Sequence, residues 1–527
     1  MNTDGEPVAK TKHQSYRAAA AMGGVWAVLQ LLFAKCSAAI STFAFAYLLE
    51  PESVGIAASG LAIVSLLLVF PPPVISDVLV RFGHDLGDWI AAGRRLSRIV
   101  AVTSLASIVA TGAVMGLATD HKAMGLVVAL LGVRAFFESL SYPPLSRMRV
   151  ALKFRQIAAI DTLIALTVMV AGIVYAWLTR RPEAVVIGFV AGAVVRAIAF
   201  GIAAGPRDEP AEPKGQFPTL FKDFRGACLG HYVYALVLVA DRFVLTLFCS
   251  DRVVGIYYFA FMLSTQVNAA ISLALAVVVQ PILGHLRDDP QRQLRAFKTV
   301  CGALAAVTIP VMVAQAALTR LFFELVLPTG YADSAPVLEV LSIAMCFCCC
   351  MGPCLAMLTA QSRFRAYLGL QVAQLVMLVA FISTGAALGG EERGGLYAAL
   401  GVLGVYLMFG PFAFWLAGQR PDLAADKRLQ AGESIGIFLR PFVMGLLAFA
   451  PAAYVANADL GLSSLARATA AVATAVACCG IYLLLLRAFA RSTWSDLCTE
   501  TLAIVERVRR RRMGTSDNGH QDEGLSS

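Results

Sequence analysis

Residues 46–56 read Ala46-Tyr47-Leu48-Leu49-Glu50-Pro51-Glu52-Ser53-Val54-Gly55-Ile56. They close one apolar run, which begins at Ala18, and open another. The run from Ala18 to Leu49 is too long for the core of a cleavable signal and follows a polar, basic start (Lys10, Lys12, Arg17), so it reads as a retained first span. Two hundred residues on, Arg252-Val253-Val254-Gly255-Ile256 echoes Glu52-Ser53-Val54-Gly55-Ile56, again at the opening of an apolar run. A second match needs no gap. At an offset of 210, Pro143 falls on Pro353, Leu145 on Leu355, and Lys153-Phe154-Arg155 on Arg363-Phe364-Arg365. Both copies follow the fourth span of their half, so the agreement in place points to an internal repeat.

Composition sets the class. Of 527 residues, 58% are hydrophobic and 15% charged, with mean hydropathy +0.73. A soluble chain of this length needs more charge to cover its surface. Here the charges cluster between apolar runs of roughly 18 residues or more, the length that crosses a hydrocarbon core of about 30 Å. The expected fold is an all-α polytopic membrane protein with about fourteen transmembrane helices. Outside the spans, Lys and Arg alternate in density from loop to loop, 32 on the side of the N-terminus against 7 on the other. Basic residues favour the cytoplasmic side, so both termini are expected there, and the localisation is a bacterial inner membrane.

Six spans separate the matched parts, an even number, so the two copies share one orientation and are related by an axis along the membrane normal. The expected organisation is a lobe of helices 1–6 (residues 1–204), a cytoplasmic linker (205–225) and a lobe of helices 7–12 (226–417). Two extra helices (418–490) and a basic tail (491–527) follow. Two such bundles can enclose a cavity and rock about it. Pro71-Pro72-Pro73 must break or bend the second helix, and Pro310, Pro353, Pro411 and Pro451 are expected to interrupt others.

Several function classes fall away. The net charge of +9 sits in loops and tail, with no basic domain for nucleic acid. Cys346, Cys348, Cys349, Cys350 and Cys354 lie inside one apolar helix and point in different directions, so they read as packing residues, not as a zinc set. No metal, cofactor or catalytic residue is expected. Loops reach only about twenty residues, too short for the aqueous domain a membrane glycosyltransferase or ligase would need.

The stretch 46–56, together with Asp241-Arg242 and Gly255-Ile256-Tyr257-Tyr258-Phe259-Ala260, is similar to motifs of the Wzx-type polysaccharide flippases. Those belong to the multidrug/oligosaccharidyl-lipid/polysaccharide exporter superfamily, whose six-six-two arrangement this chain also resembles. Ala46 departs from the basic residue often found there. The resemblance implies a non-enzymatic transporter that carries undecaprenyl-diphosphate-linked oligosaccharide from the cytoplasmic to the periplasmic leaflet. A polysaccharide polymerase and a chain-length regulator are implied as partners.

A charge inside a span costs about 2.5–3.5 kcal/mol on insertion scales and needs a reason. Lys35, Arg134, Arg196 and Arg242 are the cations so placed, and Glu138, Asp161 and Asp241 the carboxylates. The cations are candidates to face the cavity and bind the diphosphate; alternatively they pair with the carboxylates and fasten helices. The carboxylates are candidates for proton coupling. His231 and Arg242, eleven residues apart, are expected on one helix face. Gln266, Asn268 and Tyr257 are weaker candidates for sugar hydroxyls, and Glu339 lies near an outer helix end. The tail carries apolar residues at helical spacing before Arg509-Arg510-Arg511-Arg512, as expected of a segment lying on anionic phospholipid. A multidrug exporter would call for an anionic cavity, whereas the count here is four cations to three anions; a peptidoglycan-precursor flippase shares the cationic cavity but not the wording of helices 1–2.

Overall fold

The computed structural model describes residues 6–489 apart from 119–120, 206–215, 421, 425–427 and 459–463, so the basic tail lies outside the described residues. No strand occurs among them. The first lobe comprises α1 (Glu6–Leu48), α2 (Pro51–Leu67), α3 (Pro73–Val80), α4 (Leu86–Ala118), α5 (Lys122–Val150), α6 (Phe154–Thr179) and α7 (Glu183–Ala203). The second comprises α8 (Phe217–Val237), α9 (Ala240–Phe248), α10 (Asp251–His285), α11 (Pro290–Val326), α12 (Ser334–Cys348), α13 (Met351–Ala360) and α14 (Phe364–Gly418). Two further helices, α15 (Ala431–Asn457) and α16 (Ser464–Phe489), pack on the flank of α11. α8 starts inside the stretch read as the linker.

Ten helices among the described residues are long and apolar enough to cross a membrane, or eleven when the bent pair α8–α9 is one span. Fourteen is not reached by that criterion, for identifiable reasons. α2 has only 17 residues. α14 has 55, which at 1.5 Å per residue is about 80 Å, far more than one bilayer. It is a hairpin: Gly390 takes φ 60° and ψ −159°, a conformation open to glycine, and the backbone of Tyr397 folds back against Gly385.

The repeat is visible in backbone detail. After α5 the chain turns through Leu152 at φ 54°, and after α13 through Ser362 at φ 56°. Lys153 N–H donates to Met148 O at 3.0 Å, and Arg363 N–H to Leu358 O at 3.0 Å. Each is the six-to-one bond of a left-handed helix stop, and every residue of one copy maps onto the other at the offset of 210.

The lobes meet where α2 crosses α10. A Cβ built on Gly55 would lie 2.7 Å from the carbonyl carbon of Asp251, and one built on Gly255 the same 2.7 Å from that of Pro51. The contact is reciprocal, as a two-fold relation between repeats demands, and it admits only glycine. Nearby, Tyr331 donates to Leu49 O at 3.2 Å and Tyr47 donates to Val326 O, adding ties between the lobes at this end. At the opposite end α3 and α4 pack on α8: Val74, Leu79 and Leu96 share one buried cluster with Leu220 and Phe224. Contacts between the two lobes therefore occur at both ends.

Prolines behave less uniformly than expected. Pro71-Pro72-Pro73 does end α2, and the Leu66 carbonyl left at that end accepts from Tyr232 Oη of α8 at 2.7 Å. Pro353 lies in the first turn of α13, just past the break at Cys349–Cys350. Pro310, Pro411 and Pro451 instead remain inside continuous helices. For Pro310 the reason is plain: the carbonyl its missing N–H would have bonded, Ala306 O, accepts from Tyr482 Oη of α16 at 2.9 Å. The cysteines are core residues; the Cys350 thiol donates to Cys301 O at 3.6 Å, and Cys346, Cys349 and Cys354 are buried.

Substituting Gly55→Val must push the α2–α10 crossing open, because the obstructing atoms are main chain. Spin labels at Glu52 and Arg252, both exposed, should report a longer distance in the variant than in the parent; an unchanged distance would show that the crossing does not hold this end shut.

Candidate functional site

Beneath the α2–α10 crossing lies a cavity of about 290 Å³ at the junction of both lobes. Thr42 and Phe45 of α1, Phe189 of α7, and Tyr258, Met262 and Gln266 of α10 contribute to its wall. The wall is mostly apolar, but Gln266 Oε1 is buried with no hydrogen-bond partner among the described residues. An unmet amide oxygen costs about 1–3 kcal/mol, and a donor arriving in the cavity would recover it.

Two cations stand behind the aromatic wall. The Arg134 guanidinium lies 4.9 Å from the Phe189 ring centroid. That of Arg242 lies 5.6 Å from Tyr258 and 4.9 Å from Phe261. Cation–π contact stabilises a guanidinium in such surroundings by about 0.5–2 kcal/mol and polarises the ring toward it. Each cation also has a carboxylate. Arg134 Nε pairs with Glu138 at 3.3 Å, one helical turn away, and Glu138 accepts from Tyr142 Oη at 3.1 Å. Arg242 Nε lies 3.4 Å from Asp241 Oδ1, while Tyr257 Oη donates to Asp241 Oδ2 at 3.0 Å.

Arg242 has a further task. The span breaks at Leu238–Val239, where α8 and α9 meet at 54°, and the guanidinium donates to the Leu238 carbonyl exposed by that break. The bend also cancels the expected shared face of His231 and Arg242, because helical periodicity does not carry across a broken helix.

Arg196 lies apart. It pairs with Asp161 of α6 at 3.4 Å, donates to Ser141 Oγ of α5 at 3.0 Å and sits between the Tyr142 and Phe200 rings at 5.3 and 5.1 Å. None of these partners lines the cavity, and together they tie α5, α6 and α7 into one unit. Glu339 is likewise engaged, with Arg320 at 2.8 Å.

Lys35 completes the set. It is half-buried in α1, one turn before Ala38 and two before Thr42, on the helix face that lines the cavity. Among the described residues it has neither an ion-pair nor a hydrogen-bond partner, whereas Arg134, Arg196 and Arg242 each hold a carboxylate. The four-to-three surplus of cations therefore resides on Lys35.

One inter-lobe group escapes the sequence reading. Asp77 of α3 pairs with His231 Nε2 of α8 at 3.2 Å and with Arg149 of α5 at 3.4 Å. Asp77 sits at the very end of a span, where a charge is cheap, so burial cost gives no signal; only the folded pairing of α3 with α8 brings it to His231.

A family profile described as polysaccharide biosynthesis protein matches residues 44–336. No curated protein gives a significant match. The fold is similar to that of the lipid II flippase MurJ in an inward closed conformation, with TM-score 0.69 at 13% identity over 89% of this chain and 99% of that one. It is also similar to an inward-facing multidrug resistance MATE transporter of the MOP superfamily, with TM-score 0.51 at 14% identity over 82% and 100%. A third similar structure is a MOP superfamily transporter from Pyrococcus furiosus, with TM-score 0.51 at 12% identity over 82% and 95%.

The Arg196 cluster makes a test that separates fastening from binding. Arg196→Met leaves Asp161 without its partner and should lower stability in detergent by about 3 kcal/mol. Adding Asp161→Asn should restore most of the melting temperature. Transport per folded molecule should stay near the parent level in the double variant; a selective transport defect there would place Arg196 on the substrate path.

Proposed function

The chain belongs to the polysaccharide biosynthesis protein family, and from that premise we propose that it is a flippase for a polyprenyl-diphosphate-linked oligosaccharide. The cargo moves from the cytoplasmic to the periplasmic leaflet of the inner membrane by alternating access. It is a membrane transporter and not an enzyme. The carrying observation is Lys35, the cation on the cavity face of α1 that has no carboxylate partner among the described residues.

A diphosphate entering an apolar bilayer interior needs positive charge along its path, and a lysine ammonium held there unpaired needs an anion for the same reason. Each therefore offsets the desolvation of the other. Arg134 is the second contact in this reading, since it is about a third exposed and can rotate from Glu138 toward a phosphate. Phe189 and Tyr258 offer faces on which a pyranose can pack, and Gln266 Oε1 accepts from a sugar hydroxyl. The prenyl chain remains in lipid. Release follows when the α2–α10 crossing opens and the α3–α8 contact remains shut.

The multidrug reading is less well supported. A cationic drug would need an uncompensated carboxylate in the chamber, and Glu138, Asp161 and Asp241 each have an arginine. A peptidoglycan precursor carries the same diphosphate chemistry, so fold likeness to MurJ does not separate the two cargoes.

Lys35→Ala should reduce delivery of lipid-linked repeat units to the outer leaflet by about tenfold to a hundredfold, the scale of one charge-assisted contact. Lys35→Arg should retain most of it, and Lys35→Glu should abolish it. The measurement is accumulation of the lipid-linked repeat unit on the cytoplasmic face of a strain lacking the parent chain. Full activity of Lys35→Glu would end this reading.

A further inference from the structure

A hollow of about 660 Å³ lies on the second lobe, apart from the chamber. That volume falls within the roughly 300–1,000 Å³ usual for small-molecule sites. Arg252 of α10, Asp333 just before α12, and Glu391, Glu392, Arg393 and Tyr397 of the α14 hairpin line it. They fall in or beside segments that the distribution of basic residues assigns to the face opposite the termini. Arg252 follows Asp251, whose carbonyl meets Gly55 at the α2–α10 crossing. The hollow therefore begins one residue from the contact that joins the lobes.

Local structure builds it. The turn at Gly390 folds the second half of α14 back, and Gly395 lets that half lie close on α10. A Cβ on Gly395 would meet Val253 Cγ1 at 3.2 Å. Buried Val253 and Val337 give the hollow a packed base. Arg252 Nη2 pairs with Asp333 Oδ2 at 3.4 Å, which ties α10 to the chain before α12. Both members are more than half exposed, and such pairs contribute little to stability. Folding gives little reason for charges here.

The repeat supplies an internal control. At the offset of 210, Gly390 at φ 60° falls on Arg180 at φ 52°, so both lobes make this turn. Glu391-Glu392-Arg393 then falls on Arg181-Pro182-Glu183, and Tyr397 on Ile187. The same bend forms without the paired glutamates and without the tyrosine, so the turn does not require them.

The chemistry of the wall selects a ligand class. Carboxylate oxygens only accept hydrogen bonds, and guanidinium N–H groups only donate them. A small anion would meet three carboxylates in this wall, and a small cation two guanidinium groups. A polyhydroxyl ligand suits both sets, because every hydroxyl both donates and accepts. Tyr397, 37% exposed, adds a ring on which the apolar C–H face of a pyranose can pack.

We propose that this hollow is a glycan-binding site on the outer face of the second lobe, separate from the chamber. Tyr397 stacks on a sugar ring, Glu391 and Glu392 accept from its hydroxyls, and Arg393 donates to them. A glycan that has passed the α2–α10 crossing meets this surface next, which holds it away from the path behind it. The inference rests on the reading of the cargo as a glycan and adds a second place where that glycan is held.

Saturation-transfer NMR on the full chain, in a detergent without a sugar head, tests it. The probes are maltotriose, chitotriose, trigalacturonate and calcium chloride. At least one neutral trisaccharide should receive saturation from the parent chain, and trigalacturonate should receive less. Tyr397→Ala should lower the signal by about three- to tenfold, the scale of one aromatic contact. Glu391→Gln with Glu392→Gln should lower it similarly, and Tyr397→Phe should keep most of it. Arg181→Gln, exposed at the matching place of the first lobe, should leave it unchanged. Transfer to none of the three sugars, a signal indifferent to both Tyr397→Ala and the double glutamate variant, or loss of the signal on adding calcium would each overturn the proposal. Should Tyr397→Ala not stay monodisperse, the double glutamate variant decides. Full delivery by Lys35→Glu alongside a Tyr397-dependent signal would end the chamber reading and leave this site standing. Loss of delivery in Lys35→Glu with no such signal would do the reverse.

Discussion

Backbone meeting backbone at the crossing of α2 and α10 is the constraint on which the rest of the architecture depends. Main-chain carbonyls of Pro51 and Asp251 lie where side chains on Gly255 and Gly55 would begin. Such an approach is common where membrane helices associate, because dispersion contact and backbone polarity replace the missing hydrophobic drive. Its reciprocity makes the two lobes one structure rather than two neighbours. It also sets the roof of the chamber, since Val54, Tyr258 and Phe259 hang just below it. A bulky residue at either glycine cannot be accommodated by a compensating substitution opposite, because the opposing atoms belong to the peptide unit and no substitution changes them.

The intramembrane charges follow from a single cost. An ion in a bilayer interior has to be matched, and the fold matches Arg134, Arg196 and Arg242 locally, within one turn, across adjacent helices or next in sequence. Those pairs stabilise lobes and a broken helix. Lys35 is left over because α1 presents no carboxylate beside it among the described residues, and its place on the cavity face makes the surplus available to cargo. An unmatched charge of this kind, like the unmet Gln266 oxygen, is what the proposed cargo reading rests on.

Much of this was readable before any coordinates. Apolar runs and the offset of 210 carry membrane class and the repeated helix stop, because span length and helix-stop geometry are local properties. The turn at Leu152 and its copy at Ser362 are the clearest instance: the quoted words Lys153-Phe154-Arg155 and Arg363-Phe364-Arg365 begin the helices that follow them. Pairing was not readable. Nothing in the spacing of Arg196 and Asp161 distinguishes a tie between helices from a cavity wall, and helical periodicity misplaced His231 relative to Arg242 because the break at Leu238 is not marked by proline or glycine. The prolines misled for the opposite reason. Pro310 looks like an interruption until a hydroxyl from a helix far along the chain is seen to serve the carbonyl it strands.

That hydroxyl has a consequence for how the molecule is made. Tyr482 follows Ala306 by 176 residues, so during synthesis at about 5–20 residues per second the stranded carbonyl waits roughly ten to thirty-five seconds for its donor. Until then it must be served by water or by the insertion machinery. A helix that emerges late is thus the one that lets an earlier one settle, and this part of the fold is completed backward along the chain.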